Sequence, residues 1–91
     1  SHEADFRCKA KLACGNVEAN LRIDHGLIDR LDFTGDFLFD TPAEELSVKM
    51  IGLRYDPADI KAFLASQPVA SYFRGATADD LAALLFKPSS E

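Results

Sequence analysis

The chain has 91 residues and a formal net charge of −5, and 47% of its residues are hydrophobic. This length allows one domain, and this hydrophobic content excludes a disordered chain. The acidic balance disfavours a nucleic-acid partner, and no apolar run reaches the ~18 residues of a membrane span. We therefore expect a small domain with neither nucleic acid nor membrane as a partner.

Residues 5–34 are predicted to form a three-stranded antiparallel meander. Apolar and polar residues alternate over 6–14 and again over 17–24, which predicts strands with one buried face each. Gly15-Asn16 predicts a two-residue hairpin loop between them. Matching the apolar parity of the second and third strands predicts a three-residue loop, Asp24-His25-Gly26, with the glycine at its left-handed position.

Three helices are predicted after the meander. The first is expected to begin with Thr41 as its N-cap and to end at Gly52. The second is expected to begin at Asp56-Pro57 and to stop at Gln67-Pro68, and the third to follow Thr77. Each helix carries one apolar stripe and the sheet has one apolar face. The sequence therefore predicts a two-layer α+β fold in which about three helices cover one face of the sheet.

The domain boundaries follow from this layout. We expect an N-terminal tail over residues 1–5, in which Ser1-His2 is typical of a cloning scar. The folded domain is expected over residues 6–87, and a frayed tail over residues 88–91.

The two cysteines, Cys8 and Cys14, are predicted to be free thiols. Six positions of extended strand separate their Cα atoms by roughly 20 Å, whereas a disulfide requires less than about 7 Å. Both share the buried parity, so they are predicted to be small core hydrophobes. Cys14 adjoins the Gly15 turn and is the candidate for a reactive thiol. Reduced thiols and the lack of a signal peptide predict a cytoplasmic location.

The exposed parity of the strands is a candidate contact surface for another protein. Its basic residues are Arg7, Lys9, Lys11 and Arg22. Charge pairing between neighbouring strands is the alternative explanation for these residues.

The segment Gly35-Asp36-Phe37 is a second candidate contact. Glycine permits an unusual backbone conformation there, and Asp36 can accept hydrogen bonds from nearby N–H groups. The segment is expected to be a corner between strand and helix, and contact of Asp36 and Phe37 with a partner is its functional interpretation. The sequence shows no metal-ligand spacing, no glycine-rich phosphate loop and no nucleophile triad signature.

Five segments occur along the chain in a characteristic order. They are the turn 23–28, the Thr-Gly-Asp-Phe segment 34–37, the Ile-Gly-Leu-Arg-Tyr block 51–55, the helix start 56–60 and the leucine-rich helix 79–86. In this order, and over residues 6–87, the chain resembles the small accessory (C-terminal) domain of lipoate-protein ligases.

The resemblance implies an accessory role without catalytic residues on this domain. In that family a large catalytic domain uses ATP and Mg to convert lipoate to lipoyl-adenylate. It then passes the lipoyl group to an acyl-carrier (lipoyl) domain of a 2-oxoacid dehydrogenase or to the glycine cleavage H protein. The small domain, fused or separate, packs on the large one and supports adenylation. We expect no cofactor on this domain itself.

Two alternatives stay open. The family fold also looks like that of sulfur-acceptor and iron–sulfur scaffold proteins, so Cys14 is the candidate acceptor thiol, although their clustered cysteines are absent. The other alternative is a purely structural module that tethers a larger enzyme.

Overall fold

The structure, a computed structural model, describes residues 2–89, which form three strands followed by four helices. The strands β1 (Glu3–Leu12), β2 (Gly15–Asp24) and β3 (Leu27–Phe37) make one antiparallel sheet in the order β1-β2-β3. The helices are α1 (Glu44–Met50), α2 (Pro57–Ala65), α3 (Val69–Tyr72) and α4 (Ala78–Leu85). The predicted α+β fold, a meander followed by helices, is confirmed.

Both ends of the described chain are more ordered than we expected. β1 begins at Glu3, so residues 3–5 belong to the sheet and not to a tail. The backbone N–H of Ser89 donates to the carbonyl of Arg7 at 2.7 Å, and Pro88 forms a bridge with Cys8. Residues 88 and 89 therefore lie against β1 in place of the expected frayed tail. Residues 1, 90 and 91 lie outside the described residues.

The first hairpin turn falls two residues earlier than predicted. Leu12 pairs with Gly15, so the loop is Ala13-Cys14 and not Gly15-Asn16. The prediction rested on parity, and sliding a strand by an even number of residues leaves every side chain on its original face. Parity therefore could not distinguish the two registers.

The second hairpin turn is one residue shorter than predicted. Its loop is His25-Gly26, and both residues have positive φ, 52° and 80°, as the tightest hairpin turns require. The prediction of a three-residue loop was wrong because it kept Leu27 inside, whereas Leu27 is exposed and Ile28 is buried. A bulge opposite Arg22/Ile23 adds one residue to β3, which returns Leu31 to the core.

The predicted starts of the two longer helices are confirmed. The Asp56 carboxylate accepts hydrogen bonds from two N–H groups in the first turn of α2, each at 3.1 Å. Thr77 and Asp80 form a reciprocal capping box at the start of α4. Such caps satisfy N–H groups that the helix itself cannot pair.

The start of α1 differs from the prediction. Thr41 is not its N-cap, because the helix begins at Glu44 after Ala43, and the Thr41 hydroxyl instead lies 2.6 Å from that of Ser71. Ser71 belongs to α3, a single helical turn that the sequence analysis did not anticipate. The corner between β3 and α1 is thus fixed by α3 and not by a helix cap.

The core lies between the apolar face of the sheet and the helices. α4 packs against β1 and α2, and α1 packs against β3. The largest fully buried side chains come from both layers and include Ile28, Leu46, Met50, Ile60, Leu64, Phe73, Leu81, Leu84 and Leu85. Each edge strand of the sheet therefore packs against a helix, β1 against α4 and β3 against α1.

Candidate functional site

Gly35 and Gly15 allow β2 and β3 to approach each other closely. Their φ angles are 121° and 130°, a region that side-chain-bearing residues rarely adopt. A Cβ on Gly35 would collide with the carbonyl oxygen of Asn16, and a Cβ on Gly15 with that of Asp36. Both glycines are therefore required by backbone contact within the sheet.

The segment Gly35-Asp36-Phe37 is strand and not corner. β3 continues through Phe37, and Asp36 pairs with Asn16 of β2. The half-buried Phe37 ring lies 5.2 Å from that of Phe73 and 6.0 Å from that of Phe39. The interpretation as a strand-to-helix corner is therefore wrong. Contact of Asp36 and Phe37 with a partner stays a prediction.

Arg22, on the wet face of the sheet, is surrounded by carboxylates. Its guanidinium lies 2.5 Å from Glu3, 3.6 Å from Asp29 and 4.0 Å from Asp5. The hydrogen bond that Arg22 donates to Glu3, together with the negative charges of Glu3, Asp5 and Asp29, raises the pKa of Arg22 above its ordinary value. Charge pairing between neighbouring strands therefore accounts for Arg22.

The other basic residues of the wet face do not form one cluster with Arg22. Arg7 lies 3.8 Å from Glu18 and, with Arg22, lines an open groove of about 550 Å³. Lys9 and Lys11 line a different depression of about 380 Å³ beside Gly35. The predicted contact residues are thus distributed over separate surface features.

The two cysteines lie in the core. Cys8 is fully buried and its thiol donates to the carbonyl of Leu85 at 3.4 Å. Cys14, in the first hairpin turn, is 5% exposed. Burial raises the pKa of both the Cys8 and the Cys14 thiol, which disfavours the reactive thiolate. These are the properties of structural cysteines.

Tyr55 is partly buried and binds the same backbone carbonyl as Cys8. Its hydroxyl donates to the carbonyl of Leu85 at 2.6 Å, and its ring stacks on Phe86 with centroids 4.4 Å apart. Burial, and to a smaller extent the charge of the Cys8 thiolate, raises the pKa of Tyr55 to about 12. Tyr55 is thus held neutral in a structural contact.

The sequence analysis missed a groove that runs between α1 and the outer edge of β3. Two open cavities of about 630 and 290 Å³ share part of their lining and form this α1–β3 groove. The shared lining residues are Arg30, Asp32, Glu44 and Ser47. One end is lined by Phe39, and the other by Val48 and Ile51.

The α1–β3 groove lies in the segment that exposes large apolar side chains. Among residues 2–89, five large hydrophobic residues are exposed: Leu27, Leu38, Phe39, Val48 and Ile51. All five fall within residues 27–51, and Val48 is the most open at 70%. A signal was present in the sequence, because Val48 is an apolar residue between the stripe positions Leu46 and Met50 and cannot share their face.

The same segment carries most of the net charge of the chain. Residues 27–51 contain six acidic and two basic residues, a net charge of −4 out of −5 for the whole sequence. The sequence analysis ascribed the acidity to the helical half without locating it. The structure shows that acidic and apolar surface lie together along β3 and α1.

The described residues contain neither a metal-binding cluster nor a membrane-spanning helix. Within the described range 2–89, no group of three or more His, Cys, Asp or Glu side chains is arranged to hold a metal ion. The helices of that range are too short and too polar to cross a bilayer.

The fold and its surfaces define a class: a small α+β domain whose thiols lie in the core and whose grooves lie on the wet face of the sheet and between α1 and β3. Comparison with known families is more specific. Residues 1–85 match the family described as bacterial lipoate protein ligase C-terminus, and the chain belongs to that family. The resemblance noted from the sequence is thus confirmed.

A curated relative is Lipoate-protein ligase A from Blochmanniella floridana, which is 43% identical to this chain over 47 residues. The match covers 52% of this chain and 14% of the relative. The chain therefore spans only a small part of the length of that ligase.

Proposed function

We propose that this chain is a non-catalytic accessory domain of a lipoate-protein ligase. It docks on the large catalytic domain and supports the ATP-dependent activation of lipoate to lipoyl-adenylate. The observation that carries this proposal is the match of residues 1–85 to the C-terminal family of bacterial lipoate ligases. The similarity to Lipoate-protein ligase A of Blochmanniella floridana supports the same assignment.

A docked domain can accelerate adenylation without supplying a reacting group. The reaction requires the lipoate carboxylate and the α-phosphate of ATP to be held in line while water is excluded. A second domain that closes over the site stabilises this arrangement. ATP, Mg and lipoate bind to the catalytic partner, and the lipoyl group then passes to a lipoyl domain of a 2-oxoacid dehydrogenase or to the glycine cleavage H protein.

The reactive side chains of this domain fit a supporting role. Tyr55 and Cys8 both donate to the carbonyl of Leu85, and Cys14 is buried. A sulfur-acceptor protein needs an accessible thiol of low pKa, whereas burial raises the pKa of Cys14. These contacts favour the ligase proposal over sulfur transfer.

The two half-reactions of the ligase test the proposal. The catalytic domain is assayed for lipoyl-adenylate formation, and separately for transfer from preformed lipoyl-adenylate, with and without this chain. We expect the first rate to fall by at least about tenfold without the chain, a loss of ~1.4 kcal/mol of transition-state stabilisation. The second rate should change far less.

The control is this chain alone with lipoate, ATP and Mg, which should form no adenylate. Equal losses in both half-reactions would refute the role in adenylation. Full activity of both half-reactions without the chain would favour a structural tether instead.

A further inference from the structure

We propose that the α1–β3 groove is the face through which this domain docks on its ligase partner. The partner surface that fits it carries apolar side chains that meet the two ends of the groove, and lysine or arginine residues that meet the acidic lining between them. This inference rests on the proposed function, and it adds which face docks and what chemistry it recognises.

The apolar part of the groove supports this assignment. Phe39, Val48 and Ile51 line it and are 49%, 70% and 46% exposed. Large apolar side chains that cluster in one groove, rather than scatter over the surface, are typical of an interaction site. None of these three residues belongs to the buried core or to the partly buried side chains packed against it.

Charge complementarity indicates the chemistry of the partner. Asp29, Asp32 and Glu44 line the groove and are exposed. Arg30 is the basic residue in that lining, and its guanidinium lies 3.5 Å from Asp32. The groove lining is therefore acidic overall, and a partner with basic residues between its apolar contacts would meet it favourably.

The wet face of the sheet is a weaker candidate for the main contact. Arg22 already has three carboxylates within 4.0 Å, and Arg7 lies 3.8 Å from Glu18. Docking an acidic partner there would have to compete with these internal ion pairs. The apolar ends of the α1–β3 groove require no such exchange, because Phe39, Val48 and Ile51 are uncovered. A basic partner would compete with Arg22 and Arg30 only for Asp29 and Asp32.

The chain enters the sheet at the same end of the sheet as Ile51, one of the apolar residues of the groove. The family is defined as a ligase C-terminus, so in a fused ligase the larger part precedes this domain. The backbone N–H of His25 donates to the carbonyl of His2 at 3.1 Å, which fixes the start of β1 beside the second hairpin turn. That turn leads directly into β3, where the N–H of Gly52, next to Ile51, donates to the carbonyl of Ile28 at 2.8 Å.

Binding measurements with matched variants test the docking face. The full chain and its double variant Val48→Lys/Ile51→Lys are titrated calorimetrically into the catalytic domain of the ligase from the same genome. The control is Ala62→Lys/Ala65→Lys, which adds two lysines at exposed positions of α2. Thermal unfolding of all three proteins checks that they are folded.

We expect the groove variant to raise the Kd at least about tenfold and the α2 variant to change it less than about twofold. Binding of the unchanged chain should weaken as salt rises, because salt screens the acidic lining from a basic partner. Equal Kd values for the two variants would overturn the docking face but leave the proposed function intact. A chain that does not bind the catalytic domain at all would overturn both.

A second copy of this chain is the competing occupant of the groove. Sedimentation of the unchanged chain and of Val48→Lys/Ile51→Lys distinguishes this case. We expect both to sediment as monomers. A dimer that the groove variant abolishes would overturn the proposal in favour of self-association.

Discussion

The two edge strands of the sheet, β1 and β3, differ in how far other parts of the chain cover them. Along β1 the middle of the edge is closed, since Pro88 lies opposite Cys8 in a bridge, the N–H of Ser89 donates to the carbonyl of Arg7, and α4 packs against the strand. Along β3 only the start is covered, where the N–H of Ile28 donates to the carbonyl of Leu53 at 2.8 Å. Beyond that point β3 borders the α1–β3 groove.

This difference separates stability from binding within one small domain. On the closed side, Tyr55 and Cys8 both donate to the Leu85 carbonyl. The open side leaves Val48 and Ile51 uncovered beside acidic residues. We expect substitutions on the closed side to change the free energy of unfolding, and those on the open side to change the affinity for a partner.

The largest effect on stability is expected at Gly35, where β3 packs closely against β2. Gly35→Ala places a Cβ against the carbonyl oxygen of Asn16 at a φ of 121°. We expect a loss of about 3 kcal/mol or more in the free energy of unfolding, measured by urea titration. Gly26→Ala is the matched control, because Gly26 has a φ of 80° but open space around it. It should cost only about 1 kcal/mol.

Similar costs for Gly35→Ala and Gly26→Ala would contradict the close approach of the two strands. In that case only the backbone conformation, and not the packing of β3 on β2, would require glycine.

These glycines show what the sequence could and could not predict about the sheet. Alternation predicted the three strands and, except at Leu27 before the bulge in β3, their buried faces, because parity depends on local residues alone. The register did not follow from parity. Gly15 was predicted to be a turn residue, although it lies in β2 and packs closely against the Asp36 carbonyl of β3. Such a contact between residues far apart in sequence leaves no local pattern.

The second-largest effect concerns the thiols on and near the closed side. Cys8 is fully buried and Cys14 is 5% exposed, and burial raises the pKa of both thiols. We expect iodoacetamide to modify each thiol at least roughly a hundredfold more slowly in the folded chain than in urea, because reaction requires opening. Mass spectrometry of single variants Cys8→Ala and Cys14→Ala assigns the rates. Rapid modification of Cys14 in the folded chain would revive the sulfur-acceptor alternative.

A smaller effect is expected at Tyr55. Tyr55→Phe removes the hydrogen bond to the Leu85 carbonyl, which should cost about 1 kcal/mol at pH 8. The pKa of Tyr55 is raised from 10.0 to about 12 in the folded chain. Its contribution is therefore full below pH 10 and is lost as the pH rises through 12.

Urea titrations of the unchanged chain and of Tyr55→Phe, from pH 8 to pH 11.5, measure this contribution as a difference. The difference should shrink above pH 10. A difference that stays constant over this range would show that the Tyr55 hydroxyl is equally free to ionise in both states.

The helix starts and the contact surfaces differed in how far the sequence could predict them. Asp56 and Thr77 were identified as caps because a cap bonds only to its own first turn. Thr41 met the same pattern, yet its hydroxyl contacts Ser71 of α3 instead. Contact surfaces are harder still, because Arg7 and Lys11 share a strand face but line different depressions. Charge and spacing identify exposed residues, and only the packing shows which of them form one surface.

The smallest effect on stability is expected for Val48→Lys, on the open side. Val48→Lys should change the free energy of unfolding by less than ~0.5 kcal/mol, because the side chain is 70% exposed. Leu46→Ala, two positions earlier in α1, removes a fully buried side chain and should cost about 2–5 kcal/mol. Urea titration of both variants compares the two faces of one helix. If Val48→Lys destabilised the chain as much as Leu46→Ala, Val48 would belong to the core and one end of the α1–β3 groove would lose its most exposed apolar residue. If the free energy of unfolding is unchanged, any loss of partner binding by Val48→Lys reports on the docking face alone.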